Sequence, residues 1–301
     1  MPSISSIRHA FRERLAGKGI VVVPGTGDAM GARLTQAAGF EAVYMSGYAV
    51  EGTFGKPDVG LVTLTEMAQR AAQIVDVVDI PVIVDADTGY GDVTNVVRTV
   101  RELERAGVTA LQIEDQALPK KCGSMPGKEL VTAEEMAGKI KAAVDTRVDR
   151  NLLIIGRTDA AASQGMDAVM DRLAVYAEAG ADLVMATGPY SRKDAERLIR
   201  SARGPVAYLN SETFTMPMIP VAELEQLGAK LAIFCLSLVL AAAHGMRSVL
   251  EQIKTAGSTV EFHQHSMVPT AEFNRLMGLG EIERQRSRFG RAASNSGSTA
   301  D

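Results

Sequence analysis

The chain has 301 residues, 46% of them hydrophobic, with a formal net charge of −4 and two cysteines. Scattered basic residues argue against a nucleic-acid surface, two cysteines argue against a disulfide framework, and the lack of an apolar run of roughly 20 residues argues against a membrane span. We therefore expect a cytoplasmic protein that contacts neither nucleic acid nor membrane, long enough for two domains or for one α/β barrel of about 200–250 residues.

Eight short, continuously apolar runs alternate with longer segments of helical periodicity. Continuous apolarity is typical of strands that are buried on both faces of a parallel sheet. The predicted strands are residues 20–23, 42–45, 82–84, 110–113, 152–155, 183–185, 206–209 and 231–234. The predicted helices between them include residues 65–78, 95–106, 133–144, 167–178 and 193–201.

Three of the helical segments end in the dipeptide Ala-Gly, at Ala38-Gly39, Ala106-Gly107 and Ala179-Gly180. Glycine in this place can adopt the left-handed conformation that ends a helix. Eight strand–helix units of this kind predict a (β/α)8 TIM barrel.

Two further helices are predicted after the eighth strand, over residues 237–255 and 270–291. Extra terminal helices of a barrel often cover a neighbouring subunit, so we expect an oligomer. The predicted domain spans residues 1–291. Residues 292–301 are small and polar, and they are predicted to be a disordered tail.

A doubly wound dinucleotide-binding sheet is the alternative fold. Its support is the segment "GTGDAMG", Gly25 to Gly31, which follows the first strand and opens a predicted helix. The third glycine falls one position late for the dinucleotide fingerprint, and the acid Glu41 lies at the start rather than the end of the next strand. The barrel therefore remains the favoured prediction.

Polar residues follow the predicted strands, where a barrel gathers its active site. They are Ser46 and Gly47 after strand two, Asp85 and Asp87 after strand three, Gln112, Glu114 and Asp115 at strand four, Arg157 and Asp159 at strand five, and Asn210 at strand seven.

The aspartates Asp85 and Asp87 are two residues apart on a strand, so their side chains share a face. With Glu114 nearby, they suit a hard divalent cation, Mg²⁺ or Mn²⁺. The alternative is a structural role, with Asp87 stabilising the turn before Gly89, as we predict Asp92 to cap the next helix. Zinc is disfavoured because the histidines lie away from the strand ends, at His9, His244, His263 and His265.

A long connection, "KKCGSMPGKEL", follows strand four, and connections of this length are often lids. Cys122 lies beside Lys120 and Lys121, and positive neighbours predict a thiol of lowered pKa. The alternative is an incidental, exposed cysteine. Cys235 ends an apolar strand and is predicted to pack in the core.

Six segments together resemble the isocitrate lyase and phosphoenolpyruvate mutase superfamily, in particular its short-chain methylisocitrate and 2,3-dimethylmalate lyases. They are "VYMSG", "GKPD", "VDADTGYG", "QIEDQ", "KKCGS" and "GRTDA", which occur in the family's order between about Pro24 and Asn210. The resemblance implies a TIM barrel whose C-terminal helices are swapped between the subunits of a homotetramer.

The resemblance also implies the roles of individual residues. The Mg²⁺ site would comprise Asp85 and Asp87, surrounded by Asp58 and Glu114. The catalytic side chains would be Tyr44, Lys120, Cys122 and Arg157, with Cys122 as the proton donor. The residues that bind the carboxylate substrate would be Ser46, Gly47, Tyr48, Gly123, Ser124, Arg157, Thr187, Asn210 and Glu212. The acceptor of the substrate's hydroxyl proton stays open among Tyr44, Lys120 and Glu114.

The implied reaction is Mg²⁺-dependent cleavage of a 2-hydroxy di- or tricarboxylate to pyruvate, or a related keto acid, and a carboxylic acid. Three positions depart from the pattern of methylisocitrate lyases: Ser124 replaces a histidine, Thr187 a glutamate and Glu212 a hydroxyl residue. These changes should weaken the binding of a second free carboxylate. The alternatives are a keto-acid decarboxylase or phosphonopyruvate-type enzyme, which would not need Cys122, and an inactive keto-acid-binding barrel.

Overall fold

The computed structural model describes residues 2–213 and 215–290. It divides the chain into two compact units, Met1–Ala242 and Ala243–Asp301. The single domain expected over residues 1–291 stays a prediction. The tail expected at residues 292–301 lies outside the described residues.

Eight parallel strands form the first unit's sheet. Each strand from β1 to β5 pairs with the next, and β8 pairs with both β1 and β7. A parallel bridge between Val184 and Val206 joins β6 to the residue before β7, and this contact closes the sheet. The predicted (β/α)8 barrel is confirmed. The strands are β1 Val21–Thr26, β2 Val43–Met45, β3 Val82–Asp85, β4 Ala110–Glu114, β5 Leu153–Thr158, β6 Leu183–Ala186, β7 Ala207–Asn210 and β8 Leu231–Phe234.

Between the strands, the predicted helices agree with the observed ones to within three residues, except that the helix predicted over residues 167–178 begins six residues early, at Ala161, and is kinked at Gly165. The observed helices are α1 Ile4–Ala16, α2 Ala29–Ala37, α3 Gly47–Thr53, α4 Leu64–Val75, α5 Val93–Arg105, α6 Ala133–Thr146, α7 Ala161–Glu178, α8 Arg192–Ser201 and α9 Val221–Leu227, followed by α10 Ser237–Ala256, α11 Val260–Ser266, α12 Thr270–Leu276 and α13 Leu279–Phe289. The prediction of one helix over residues 270–291 is wrong. Gly278, with a φ of 88°, separates α12 from α13, because this left-handed conformation interrupts a helix.

The glycines predicted to end helices and the aspartate predicted to begin one do so in the structure. Gly39, Gly107 and Gly180 follow α2, α5 and α7 with φ angles of 86°, 90° and 103°. Asp92 caps α5, since its carboxylate accepts hydrogen bonds from the amides of Thr94 and Asn95. The segment between β3 and α5, which carries the predicted metal ligands, therefore has a fixed end.

The glycines of "GTGDAMG" serve close packing between elements. A Cβ at Gly25 would lie 2.5 Å from the carbonyl oxygen of Cys235, and one at Gly27 would lie 2.4 Å from that of Ala49. The backbone of β1 thus touches its neighbours where a dinucleotide phosphate would have to lie. The dinucleotide interpretation is wrong, because the strands close into a barrel.

Helices α10 to α13 contain no buried residue within the range the structure describes. Several of their apolar side chains are exposed, Met246 at 60% and Leu250 at 62% among them. Across residues 2–213 and 215–290, no helix combines the length and apolarity needed to cross a bilayer.

Candidate active site

A cavity of about 50 Å³ lies at the carboxyl ends of the barrel strands, beneath the connection between β4 and α6. A volume of this size holds only a few water molecules, so little free space remains between the side chains of the site. Most of the predicted site residues line it: Tyr44, Ser46, Tyr48, Asp58, Asp85, Glu114, Lys120, Cys122, Gly123, Ser124, Arg157 and Thr187.

The aspartate pair lies beside the start of α3. A Cβ at Gly47 would lie 3.2 Å from Asp85 Oδ2 and 3.4 Å from Asp87 Oδ1, so a side chain here would crowd both carboxylates. Gln112 Nε2 donates a hydrogen bond of 3.0 Å to Asp85 Oδ1. The residues predicted after strands two and three therefore meet at one place.

Lys120 lies between two carboxylates. Its Nζ pairs with Asp58 Oδ1 and lies 2.5 Å from Asp87 Oδ1. Burial raises the pKa of Asp87 to about 7, against the opposing effect of Lys120. Burial alone would lower the pKa of Lys120, but Asp87, Glu114 and Asp58 raise it well above its usual range. Lys120 is therefore a fixed cation.

Arg157 forms the second cationic centre. Its Nε and Nη2 donate to the two oxygens of Asp159 at 2.8 and 3.0 Å, and its Nη1 lies 3.0 Å from Glu114 Oε2. Burial raises the pKa of Glu114 well above its usual range even though Arg157 acts to lower it. The geometry is the bidentate fork that arginine forms with carboxylates.

Acids outnumber cations in this buried cluster. Five carboxylates face two cations, which leaves a formal surplus of three negative charges; the residues are Asp58, Asp85, Asp87, Glu114 and Asp159 against Lys120 and Arg157. Uncompensated buried charge is costly, so a surplus of this kind suits an additional cation. Burial is the main cause of the raised pKa values of Asp87 and Glu114, and the neighbouring carboxylate Asp85 raises both further.

Within residues 2–213 and 215–290, two oxygens of the cluster are buried without a hydrogen bond of acceptable geometry, Asp87 Oδ1 and Glu114 Oε1. In the described part of the chain, no three His, Cys, Asp or Glu side chains converge into a metal cage. An ion here would take few ligands directly from the protein and complete its shell with water or substrate, which is the usual mode for Mg²⁺. The residues fit such an ion, and the metal site stays a prediction.

Tyr44 is a neutral donor. Its hydroxyl donates to Gln112 Oε1 at 2.9 Å, and burial raises its pKa well above the usual range. Through Gln112, Tyr44 is linked to Asp85, so it orients the carboxylate pair.

The prediction of a lowered pKa for Cys122 is wrong. Burial raises the pKa of this thiol, which is 8% exposed. The neighbouring lysines point elsewhere, since Lys120 pairs with Asp58 and Lys121 donates to the carbonyl of Gly127 at 3.0 Å. Cys122 Sγ instead lies 3.2 Å from the hydroxyl of Ser124.

The loop between β4 and α6 is held by a residue that the sequence prediction missed. Gln116 Nε2 donates to Asp159 Oδ2 at 2.6 Å and to the carbonyl of Lys121 at 2.9 Å, and its Oε1 accepts from the Lys121 amide at 2.9 Å. Gln116 thus joins the loop that carries Cys122 to the Arg157–Asp159 pair. Its position just after the acidic end of β4 was the available signal.

Gly123 seats the loop against the site. A Cβ there would lie 2.6 Å from Arg157 Nη2 and 2.9 Å from Thr187 Oγ1. Lys128, also missed, donates from its Nζ to the carbonyls of Gly123 and Met125. A larger residue at position 123 would therefore displace the ends of the Arg157 and Thr187 side chains.

Three of the residues predicted to contact the second product form hydrogen bonds within the protein instead. Thr187 donates to Asp159, and both side-chain groups of Asn210 bond to the backbone of Ile219 at 2.9 Å. The Glu212 carboxylate accepts hydrogen bonds from the Leu236 amide and the Ser237 hydroxyl. Glu212 thus caps the start of α10.

The wall of the cavity on this side is made of hydroxyl and apolar groups. The hydroxyls of Ser211, Thr213 and Thr215 form a chain with separations of 3.0 and 3.1 Å. The apolar side chains of this wall are Leu209, Met216 and Leu236.

An acidic, enclosed site at the carboxyl ends of barrel strands is the arrangement of a TIM-barrel enzyme. The family model for phosphoenolpyruvate phosphomutase matches residues 11–254, and the chain belongs to this family. It is 44% identical to 2,3-dimethylmalate lyase of Eubacterium barkeri, over 90% of this chain and 94% of that protein. It is 40% identical to 2-methylisocitrate lyase of Aeropyrum pernix, over 94% and 91%.

Solved structures agree with this relationship. The crystal structure of a 2,3-dimethylmalate lyase of the PEP mutase/isocitrate lyase superfamily superposes with a TM-score of 0.89 and 32% identity over the whole of both chains. A phosphonopyruvate hydrolase complex with oxalate and Mg²⁺ superposes with a TM-score of 0.85 and 26% identity, covering 94% of this chain and 98% of that one. The predicted superfamily and the carbon–carbon lyase class are confirmed.

Proposed function

We propose that this lyase cleaves the C2–C3 bond of a 2-hydroxy dicarboxylate with an alkyl branch, with Mg²⁺ as cofactor, to give pyruvate or a related keto acid and a carboxylic acid. The observation that carries the proposal is the surplus of buried carboxylates beneath a cysteine-bearing loop. The names of the lyases at 40–44% identity support it.

Mg²⁺ would be held by Asp85 and Asp87, with Asp58 and Glu114 around it through water. When bound, the ion supplies Lewis-acid polarisation of the substrate's C2 oxygen. The phosphonopyruvate hydrolase neighbour with oxalate and Mg²⁺ supports the choice of metal. Mn²⁺ is the alternative with the same ligand preference.

Substrate orientation falls to Ser46, Tyr48 and Arg157, which line the cavity around the aspartate pair. Of the three candidates for the hydroxyl proton, Tyr44 already donates to Gln112, and Lys120 is a fixed cation. Among the described residues, no group donates a hydrogen bond to Glu114 Oε1, which is therefore the acceptor we favour.

Cys122 would protonate the carbon released by cleavage. Its raised pKa keeps the thiol protonated at neutral pH, and Ser124 orients it across 3.2 Å. An acid must hold its proton until the carbanion forms, so a neutral buried thiol fits this role better than a thiolate. The closed loop also keeps water away from the carbanion.

The paired cations of the cavity favour a dicarboxylate over a tricarboxylate. Among the described lining residues, Lys120 pairs with Asp58, Arg157 pairs with Asp159, and Lys121 donates to a backbone carbonyl. A third carboxylate would meet the hydroxyl and apolar wall and leave a buried charge without a cation. An alkyl branch would contact Leu209, Met216 and Leu236 instead.

A panel assay tests this function. The enzyme is incubated with Mg²⁺ and 2,3-dimethylmalate, 2-methylisocitrate or oxaloacetate, and the products are identified by NMR. We expect pyruvate and a carboxylic acid from the alkyl-branched dicarboxylate, and none after chelation with EDTA. Turnover of oxaloacetate alone would replace the proposal by a keto-acid decarboxylase or hydrolase, and no turnover of any compound would favour a keto-acid-binding barrel.

We further propose a homotetramer that exchanges its C-terminal helices. Exposed apolar side chains on α10 to α13 support the tetramer, since exposed apolar patches often mark surfaces that bind another protein chain. Light scattering should give the mass of four chains, and Met246→Asp with Leu250→Asp should lower it. A monomer at micromolar concentration would contradict the proposal.

We also propose a cytoplasmic location, which the two free, buried cysteines support.

A further inference from the structure

The turn after β3 adopts an unusual backbone conformation. Asp87 and Tyr90 have φ angles of 47° and 62°, in the left-handed region that favours glycine, and Gly89 between them has a φ of 78°. In residues other than glycine, as at Asp87 and Tyr90, this conformation is strained and persists only where the surrounding structure holds it. The strain lies in the turn that carries the proposed Mg²⁺ ligands.

Two buried side chains from neighbouring helices bind the carbonyls of this turn. Thr99 on α5 donates from its hydroxyl to the carbonyl of Gly89 at 3.0 Å. Lys139 on α6 donates from its Nζ to the carbonyl of Thr88 at 3.2 Å. The exposed fractions of Thr99 and Lys139 are 0% and 2%. The turn is thus fastened at two successive residues from outside the cavity.

Lys139 is unusual as a buried charge. Its one side-chain hydrogen bond in the described structure is to the Thr88 carbonyl, although an ammonium has three donors. Burying an ammonium with so few partners is costly. A leucine or methionine at this position of α6 would avoid the free-energy cost of burying an ammonium. What an apolar residue could not provide is the hydrogen bond to the carbonyl of Thr88.

We propose that Lys139 and Thr99 are positioning residues, which hold the strained turn and thereby keep Asp85 and Asp87 in the arrangement that binds a divalent cation. The inference rests on the metal site proposed above. Without the two donors, the carbonyls of Thr88 and Gly89 would be left buried and unpaired. The turn would then relax toward an ordinary conformation and move the Asp87 carboxylate away from Asp85.

The test measures metal binding by the full-length protein. The variants are Lys139→Met and Thr99→Val, which remove the donors and keep the volume, and the control is Lys141→Met, an exposed lysine on the same helix. Mn²⁺ affinity is measured by EPR of the free ion, and thermal unfolding is measured without metal. Residues that orient metal ligands typically change affinity by about 10–100-fold. We expect a loss of about tenfold for Lys139→Met, a smaller loss for Thr99→Val and none for Lys141→Met.

The outcomes are distinct. A lower unfolding temperature with unchanged Mn²⁺ affinity in both test variants would overturn the inference, because the side chains would then be merely structural. Should Lys139→Met fail to fold, Thr99→Val and Lys139→Arg, which keeps a donor, decide the matter. Arginine should retain affinity near that of the wild type, and equal affinity of Thr99→Val and wild type would overturn the inference. If the wild-type protein binds no Mn²⁺, the proposed metal site itself fails.

Discussion

The two sides of the cavity are built differently. On the side of β2 to β5, charged groups form two sets of buried ion pairs, in which Lys120 joins Asp58 to Asp87 and Arg157 joins Glu114 to Asp159. On the side of β6 to β8, the wall consists of hydroxyl groups bonded to each other and of apolar side chains. The first side is the one that we propose to bind a cation and to stabilise developing charge. The second side can discriminate between substrates only through its shape and polarity.

Because of this difference, we expect the charged side to govern the chemical step and the wall to govern the choice of substrate. Changes on the charged side should abolish the reaction for every substrate, because they remove interactions that form with the reacting atoms. Changes on the wall should alter the ratio between substrates and leave the chemical step intact.

The largest effect is expected for Asp87→Asn. Losing this carboxylate removes a proposed Mg²⁺ ligand, and several kcal/mol of Lewis-acid stabilisation correspond to a loss of about 10³-fold in kcat/KM. Steady-state kinetics on the substrate found in the panel would measure it. The matched control is Asp92→Asn, which changes the nearby helix cap and should retain turnover. Full activity of Asp87→Asn would show that the reaction does not need the Asp87 carboxylate, and this result would contradict the proposed metal site.

Cys122→Ser should reduce kcat by about 10²–10⁴-fold, the usual contribution of a general acid, without weakening Mn²⁺ binding. Serine fills the same place but is a far weaker acid. Parallel measurement of kcat and Mn²⁺ affinity separates loss of the acid from damage to the metal site. Undiminished turnover would favour decarboxylation or hydrolysis of a keto acid, since neither needs this thiol.

Thr215→Lys tests the wall. A lysine at this half-buried position would supply a cation near the apolar side chains, and a charged hydrogen bond is worth about 1.5–3 kcal/mol. We expect the ratio of kcat/KM for 2-methylisocitrate to that for 2,3-dimethylmalate to rise by about 10–100-fold. An unchanged ratio would show that the wall does not select the substrate.

Glu212→Gln should have the smallest effect. The carboxylate caps the start of α10, so its loss should cost about 0.5–1.5 kcal/mol of unfolding free energy and leave the substrate ratio unchanged. Chemical denaturation and the same pair of kinetic assays measure the two quantities. A marked gain in activity on the tricarboxylate would instead place Glu212 at the substrate, as the family resemblance implied.

Much of the barrel and half of the site could be predicted from the sequence. Asp85 and Asp87 directly follow an apolar run, and the ends of parallel strands must converge in a barrel, so their place required no tertiary information. The glycines after α2, α5 and α7 were equally readable, because the left-handed conformation limits the choice of residue.

The direction of loop side chains could not be predicted. Adjacency to two lysines suggested a thiolate at Cys122, but Lys120 turns toward Asp58, which lies 62 residues away along the chain. Gln116 and Lys139 were missed because their partners, Asp159 and Thr88, are likewise distant in sequence. Glu212 follows Asn210 by two residues, yet it turns to α10 rather than to the cavity.

The central claim is that the surplus of buried carboxylates binds one divalent cation. Titration of the wild-type protein with Mn²⁺, followed by EPR and by competition with Mg²⁺, tests it most directly, with Asp87→Asn beside it. We predict one site per chain that Mg²⁺ empties competitively and that Asp87→Asn weakens strongly. Absence of binding by the wild type, or equal binding by the variant, would contradict the claim.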